Sequence, residues 1–186
     1  HYEGASGGLF STLDAYMLKS AFFSSGGFSA KYGGVLSGVL DIETQDPVNL
    51  RTVSVGANIV GGNLSSTWAL VPDKLSLVAS VRHSNIDLLR RLYGSSSEYV
   101  AVPRSDDGAA KLLYRYAPTG RIAALYIGSG DHVGVVSEVL NYRGTYDATA
   151  QNRLFALQFQ DAVAGRLALK GQVSAQRFSN GYAFGP

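Results

Sequence analysis

Hydrophobic and polar residues alternate along most of the chain after position 50. The clearest stretch is RLALKGQVSAQ, residues 166–176, in which Leu167, Leu169 and Val173 alternate with Lys170 and Gln172. Successive side chains of a β-strand point to opposite faces, so a period of two indicates a strand with one apolar and one polar face. Repeats of this pattern predict about seven strands between position 50 and the end of the chain.

The residues before Pro47 follow a different pattern, in which glycine-rich turns separate short apolar segments. The segment STLDAYMLKS, residues 11–20, predicts a short helix, with Ser11 as N-cap and Asp14 three positions later. Strands are predicted at residues 21–25 and 37–44, and Pro47 ends the second one. We therefore predict two domains, one over residues 1–49 and the other over residues 50–186.

The predicted connections between strands differ in length. Residues 71–74, 117–120 and 161–165 are predicted as tight turns, and 86–105 and 132–150 as longer segments. Alternating short and long connections are typical of outer-membrane barrels, which have short periplasmic turns and longer outer loops. A soluble antiparallel sheet with one wet face would also show apolar–polar alternation, so the strand pattern alone leaves both alternatives open.

Composition narrows the class of protein. Of 186 residues, 46% are hydrophobic and 16% charged, and the mean hydropathy is +0.05. This content is too apolar for a disordered chain, yet no apolar run reaches the roughly 18 residues of a membrane-spanning helix. The chain has no cysteine, which excludes disulfides and thiolate metal sites, and its net charge of +2 with scattered basic residues argues against a nucleic-acid partner.

One segment has a more specific likeness. The sequence GGFSAKYGGVLSGVLDIETQDP, residues 26–47, contains the pair Tyr32–Gly33, a small-residue turn from Gly34, and a strand from Gly38 to Thr44. It resembles the closing stretch of the plug domain in TonB-dependent outer-membrane receptors. Without the resemblance, the same residues have a structural role in packing and turn geometry, because glycine permits the sharp turns that a compact plug needs.

The resemblance implies an all-β fold: a transmembrane antiparallel β-barrel of about 22 strands whose lumen is closed by a small α+β plug domain. Residues 1–49 would be the C-terminal part of the plug, and residues 50–186 the first strands of the barrel. The chain would then be a piece of a longer protein of the bacterial outer membrane. It would lie among outer-membrane lipid and lipopolysaccharide.

The function that the resemblance implies is active uptake of a scarce nutrient, such as a siderophore, vitamin, oligosaccharide or peptide. A TonB-type energy-coupling protein would act through an N-terminal part that this sequence does not include. The alternative is an outer-membrane barrel that serves as a structural or interaction subunit without coupled transport.

Candidate chemistry is sparse. The three histidines are far apart in sequence, no arrangement supports catalysis, and we expect neither a metal, a cofactor nor an enzyme activity. Arginines carry the one functional signal, because a basic lumen and outer loop would attract anionic ligands. The alternative is that they pair with plug carboxylates, face water or bind lipopolysaccharide phosphates. Arg82, Arg115, Arg153 and Arg166 are predicted on the polar face and Arg90, Arg91 and Arg104 in or beside a long loop, with Arg82, Arg90, Arg91 and Arg115 the ligand-binding candidates.

Overall fold

The computed structural model describes residues 15–26, 39–46, 51–87, 91–92, 99–139, 142–163 and 167–185. Nine strands account for nearly all the regular structure in these residues, with one 3-10 turn, η1, and helical residues at Asp87 and at 91–92. The elements are η1 Ala15–Met17, β1 Leu18–Ser24, β2 Val39–Thr44, β3 Thr52–Asn58, β4 Gly61–Val71, β5 Leu75–Asn85, β6 Tyr99–Arg115, β7 Arg121–Val139, β8 Tyr142–Val163 and β9 Leu167–Gly185.

The strands form two antiparallel sheets. β1 and β2 pair with each other, and β3 to β9 form a seven-stranded sheet in which each strand pairs with the next along the chain. The predicted all-β class and the seven strands after position 50 are therefore confirmed. Within the described residues, no helix is long and apolar enough to cross a bilayer.

The helix predicted over residues 11–20 is wrong at its C-terminal end. Only Ala15–Met17 are helical, as a single 3-10 turn, and Leu18 already begins β1. Leu18 pairs with Thr44 and Ser20 with Glu43, with an irregularity between the two pairs. Pairing with a distant strand thus overrides the local helix signal, while residues 11–14 lie outside the described part. The strands predicted at 21–25 and 37–44 correspond to the end of β1 and to β2.

The last strands are longer than the sequence pattern predicts. β7 has 19 residues and β8 has 22, and their ladder runs without a break from Arg121↔Gln160 to Val139↔Tyr142. The long connection predicted at 132–150 is therefore wrong, because most of it is paired strand. The segment predicted at 86–105 is likewise too long, since β6 begins at Tyr99. Apolar residues in these extensions do not keep to one face, since Val133 and Val135 lie on one face of β7 and Val136 on the other, so no regular apolar–polar alternation marks the strand.

The two faces of the seven-stranded sheet differ in chemistry. One face, called here the apolar face, carries a row of directly opposed residues across six strands: Trp68, Leu77, Leu112, Ala124, Leu157 and Val173. Most of the exposed large hydrophobic side chains of the sheet lie on this face, including Val53, Val55, Leu64, Val81, Tyr114, Tyr126, Phe155, Phe159 and Leu169.

The opposite face, called here the covered face, lies under η1, β1 and β2. Met17 is fully buried there in a small core with Val78, Ala109, Leu125, Ile127 and Ala156. The Tyr16 hydroxyl makes hydrogen bonds to Thr67 and Thr52. The other buried residues of this face are mostly small and polar, among them Ser65, Thr67, Ser76, Ser80, Ser105 and Asn152.

Candidate functional site at the contact between the two sheets

A cavity of about 580 Å³ separates β2 from the covered face of the large sheet. Three carboxylates line it from the small sheet and the residues after it: Asp41, Glu43 and Asp46. Lys111 of β6 and Arg121 of β7 line it from the large sheet. The two sheets thus face each other across this space with charges of opposite sign.

Asp46 connects the two sheets directly. One of its carboxylate oxygens, Oδ1, lies 2.7 Å from Lys111 Nζ, and the other, Oδ2, lies 2.5 Å from Arg121 Nη1. The Lys111 ammonium also donates to the carbonyl oxygen of Thr44 at 3.2 Å and to its hydroxyl at 3.0 Å. Arg121 donates in addition to Gln160 Oε1, from Nη2 at 2.7 Å and from Nε at 3.1 Å. Every charged group in this contact therefore has a charged or polar partner.

Burial makes the contact energetically important. The Lys111 side chain is only 4% exposed, whereas Asp46 is 33% exposed. A buried ammonium is stable only when it is paired and hydrogen-bonded. Lys111 therefore holds the end of β2 in place, because undocking β2 would remove three of its acceptors at once.

The pKa of Asp46 reflects the same balance. Burial alone would raise the pKa of this carboxyl, but the hydrogen bond and charge of Lys111 and the charges of Arg121 and Arg115 outweigh burial. The net effect lowers the pKa of Asp46 below its usual value. Asp46 is accordingly ionised in the docked state at neutral pH.

A second ion pair lies within the small sheet, between Lys19 and Glu43 at 2.7 Å. Its side chains are 57% and 56% exposed, so water screens the attraction. The hydrogen bond from Lys19 lowers the pKa of Glu43. This pair spans β1 and β2 without reaching the large sheet, and it serves as a natural reference for the buried contact at Asp46.

The ligand-binding candidates predicted from sequence do not converge. Arg82 lies on the covered face and pairs with Asp107 at 2.7 Å, whereas Arg115 lies eight positions further along β6 from Asp107, about 27 Å away along the strand. Arg91 is exposed and pairs with Asp87 at 2.7 Å. Arg90 lies outside the described residues.

The three remaining arginine predictions have different outcomes. Arg153, predicted on the polar face, lies on the apolar face, because it is two positions from Phe155 and directly opposite Gly128 and Arg177. The prediction was wrong because side chains two positions apart in a strand share a face. Arg166 lies outside the described residues. Arg104 is exposed and lies within β6 rather than in a loop.

Of the residues in the predicted plug motif, Thr44 is described. It is buried, and it accepts both hydrogen bonds from Lys111 noted above. Tyr32, Gly33, Gly34 and Gly38 lie outside the described residues.

Sequence reasoning missed Asp46 and Arg121, because the contacts of Asp46 with Lys111 and Arg121 span 65 and 75 positions. A usable signal existed at Lys111, a lysine on a predicted strand face next to Leu113, since buried cations require nearby carboxylates.

The described part of the chain contains no group of three or more His, Cys, Asp or Glu side chains that could hold a metal ion. Its histidines form simple pairs instead: His83 with Asp106 and His132 with Asp147, each at 2.7 Å. The arrangement at Asp46 is suited to holding two sheets together by charge across a polar cavity. Comparison with protein-family models, curated proteins and solved structures gives no match for this chain.

Proposed function

We propose that this chain is the closing part of a plug domain followed by the first seven strands of the transmembrane barrel in a TonB-dependent transporter of the bacterial outer membrane. The transporter would take up a scarce nutrient with energy supplied by a TonB-type coupling protein. The single observation that carries the proposal is the orientation of the two faces: the sheet exposes its apolar face and covers its polar one.

A soluble sheet has the opposite arrangement. In a soluble protein, the covered face of an antiparallel sheet is apolar and the exposed face is polar. Here Trp68, Val81 and Phe155 are 45%, 57% and 51% exposed, while Ser65 and Ser76 on the covered face are 1% and 0% exposed. Apolar residues facing outward and polar residues facing inward are the pattern of a barrel surrounded by lipid.

The dimensions of the apolar face support the same proposal. On β9 the apolar positions run from Leu167 to Ala175, eight residue steps apart, which is about 27 Å along the strand. A strand tilted by about 40° would cover about 21 Å of membrane thickness, close to the apolar band of about 25 Å on outer-membrane barrels. An exposed apolar surface that crosses six strands would otherwise be an aggregation hazard in water.

The contact at Asp46 supports the plug assignment. A plug that moves within a barrel needs an attachment that can break and form again. An ion pair beside a polar cavity meets this need, since water can solvate Asp46 and Lys111 when they separate. The small sheet would then be held to the barrel wall through Lys111 and Arg121 until an applied force separates them.

Spin labels test the orientation of β9 in lipid. Labels at Leu169 and Val173 should be accessible to oxygen and protected from a water-soluble nickel relaxant, and labels at Lys170 and Gln172 should show the reverse. The four positions lie close together on the two faces of one strand, so each pair is the control for the other. Equal accessibility at all four positions would refute the barrel.

Coupled transport is tested separately from the fold. The intact protein should bind the periplasmic domain of the energy-coupling protein, and nutrient uptake by cells should fall to background when the membrane potential is removed. A protein that passes the spin-label test but shows neither property would be a structural or interaction subunit of the outer membrane.

A further inference from the structure

Two arginines lie directly opposite each other on the apolar face. Arg153 of β8 pairs with Arg177 of β9 in the ladder, and both side chains are exposed. Residues directly opposed in an antiparallel pair are about 5 Å apart at Cα, and like charges at such positions destabilise a sheet. An anion bound between the two guanidinium groups would relieve this repulsion.

The protein itself does not supply this anion in its described residues. The neighbours of Arg153 and Arg177 along the two strands on this face are Gln151, Phe155, Ala175 and Ser179, none of which is acidic. On the β7 side the opposing position is a glycine, Gly128. Within the described residues, neither guanidinium makes a hydrogen bond or an ion pair with another side chain. Two carboxylates lie on this face beyond the apolar band, Asp106 on β6 and Asp147 on β8. Asp106 pairs with His83, and Asp147 pairs with His132.

Space for an anion exists between the arginines. A cavity of about 180 Å³ is lined by Arg153, Arg177, Gln151 and Ser179. Two guanidinium groups, an amide and a hydroxyl provide several hydrogen-bond donors to one small volume. Guanidinium groups bind phosphate oxygens through paired, charge-assisted hydrogen bonds, which makes arginine the preferred residue for phosphate recognition.

The level of the pair on the sheet indicates where the phosphate comes from. Arg153 and Arg177 are each one same-face position beyond the apolar band, about 7 Å past Phe155 and Ala175. The tight turn at residues 116–120 lies at the other end of the strands, which is the periplasmic end of a barrel. If the apolar band lies in the hydrocarbon, as in the function proposed above, the arginines are at the headgroup level of the outer leaflet.

We propose that Arg153 and Arg177 bind a phosphate group of an outer-leaflet lipid headgroup, with Gln151 and Ser179 as further donors. The site cancels the repulsion between the two strands and fixes one lipid on the outer wall of the barrel. It is a lipid site on the membrane side of the sheet, distinct from the covered face.

Lipid binding by the intact protein in detergent tests the site. The probes are lipid A carrying both phosphates, the same lipid with its phosphates removed, and inorganic phosphate. Wild-type protein should bind the phosphorylated lipid, and the double change Arg153→Gln with Arg177→Gln should weaken this binding at least about tenfold. The matched control, Arg51→Gln with Lys74→Gln, removes two exposed positive charges from the other end of the sheet and should leave the affinity unchanged.

Three results would overturn the proposal: unchanged affinity in the double variant, equal binding of the dephosphorylated lipid, or displacement of the lipid by submillimolar inorganic phosphate. The last result would make the pair a site for a soluble anion. A second variant, Arg153→Glu, keeps the test decisive if the double variant folds poorly, because Glu opposite Arg177 forms an attractive pair. This variant should fold and still lose the lipid.

The spin-label measurement on β9 separates this inference from the barrel. If those labels show the apolar face in lipid and the double variant still binds phosphorylated lipid with wild-type affinity, the lipid site fails and the barrel stands. If the labels show both faces of β9 in water, the barrel fails, and the headgroup source of the phosphate fails with it.

Discussion

Replacing Asp46 with asparagine tests whether a buried ion pair holds the two sheets together. Asparagine keeps the size of the side chain but removes the charge that lies 2.7 Å from Lys111 and 2.5 Å from Arg121. Arg121 retains its hydrogen bonds to Gln160. Lys111 retains the two acceptors of Thr44, but its charge is left without a counterion at 4% exposure.

The free energy of docking that Asp46→Asn should remove lies between two limits. Removing one partner of a fully buried ion pair costs about 3–5 kcal/mol, whereas an exposed pair contributes about 0–1 kcal/mol. Asp46 is 33% exposed and Lys111 keeps two hydrogen bonds, so we expect about 2–3 kcal/mol for Asp46→Asn. This corresponds to an increase of about 30–150-fold in the equilibrium constant for undocking of the small sheet.

Thiol labelling measures this undocking. The chain has no cysteine, so Met17→Cys introduces a unique thiol at a position that is fully buried against the large sheet. In that background, Asp46→Asn should raise the labelling rate about 30–150-fold. Glu43→Gln, which breaks the exposed pair with Lys19, is the matched control and should leave the rate unchanged.

A double-mutant cycle provides the refutation. When Lys111 is also replaced by methionine, no buried charge remains, and Asp46→Asn should then have little further effect on the labelling rate. The reasoning fails if Asp46→Asn and Glu43→Gln raise the rate equally, or if the effect of Asp46→Asn is the same with and without Lys111.

Three further predictions follow from single features. Because the pKa of Asp46 in the docked state lies below the 3.8 of an unperturbed carboxyl, its contribution to docking should be complete above about pH 5 and lost as pH falls through the lowered pKa; the ratio of the Met17→Cys labelling rates with and without Asp46→Asn, followed against pH, checks this. Gly61 has a φ of 151° and an added Cβ would clash with a backbone carbonyl oxygen of β5, so Gly61→Ala should lower the free energy of unfolding by about 1–3 kcal/mol, whereas Gly130→Ala, with nothing within 4 Å, should not. Leu157→Arg should lower the free energy of unfolding in lipid by about 2–4 kcal/mol, and Gln158→Arg on the opposite face should lower it much less. Denaturant titration measures both, and equal losses would contradict the assigned faces.

The sequence predicts the central part of the strands well because apolar and polar residues alternate there. Val173 was assigned to the apolar face from period alone, and the ladder places it in one row with Leu157 and Leu112. Prediction fails in residues 132–150, most of which belong to β7 and β8, because valines, glycines and polar residues do not alternate regularly there. The backbone pairing of β7 with β8 continues through this stretch, and an apolar–polar pattern does not record it.

The contact at Asp46 was not predictable in the same way. Asp46 precedes Pro47 and has no partner close in sequence, because Lys111 and Arg121 are 65 and 75 positions away. A lone carboxylate before a proline is usually a feature of a turn. The lowered pKa of Asp46 arises only after β2 has been placed over β6 and β7.

The exceptions to alternation nevertheless mark where the small sheet docks. Val78, Leu113 and Leu125 are among the apolar residues of the covered face, and all three are buried. Val78 and Leu125 surround Met17 of η1, and Leu113 lines the cavity under β2. A face that is polar because it lines a lumen has no reason to carry large apolar side chains unless another segment covers them. Apolar residues on a polar strand face therefore indicate where another segment packs. Lys111 lies between Ala109 and Leu113 on this face, and its burial indicates that the packed segment contains a carboxylate to pair with it.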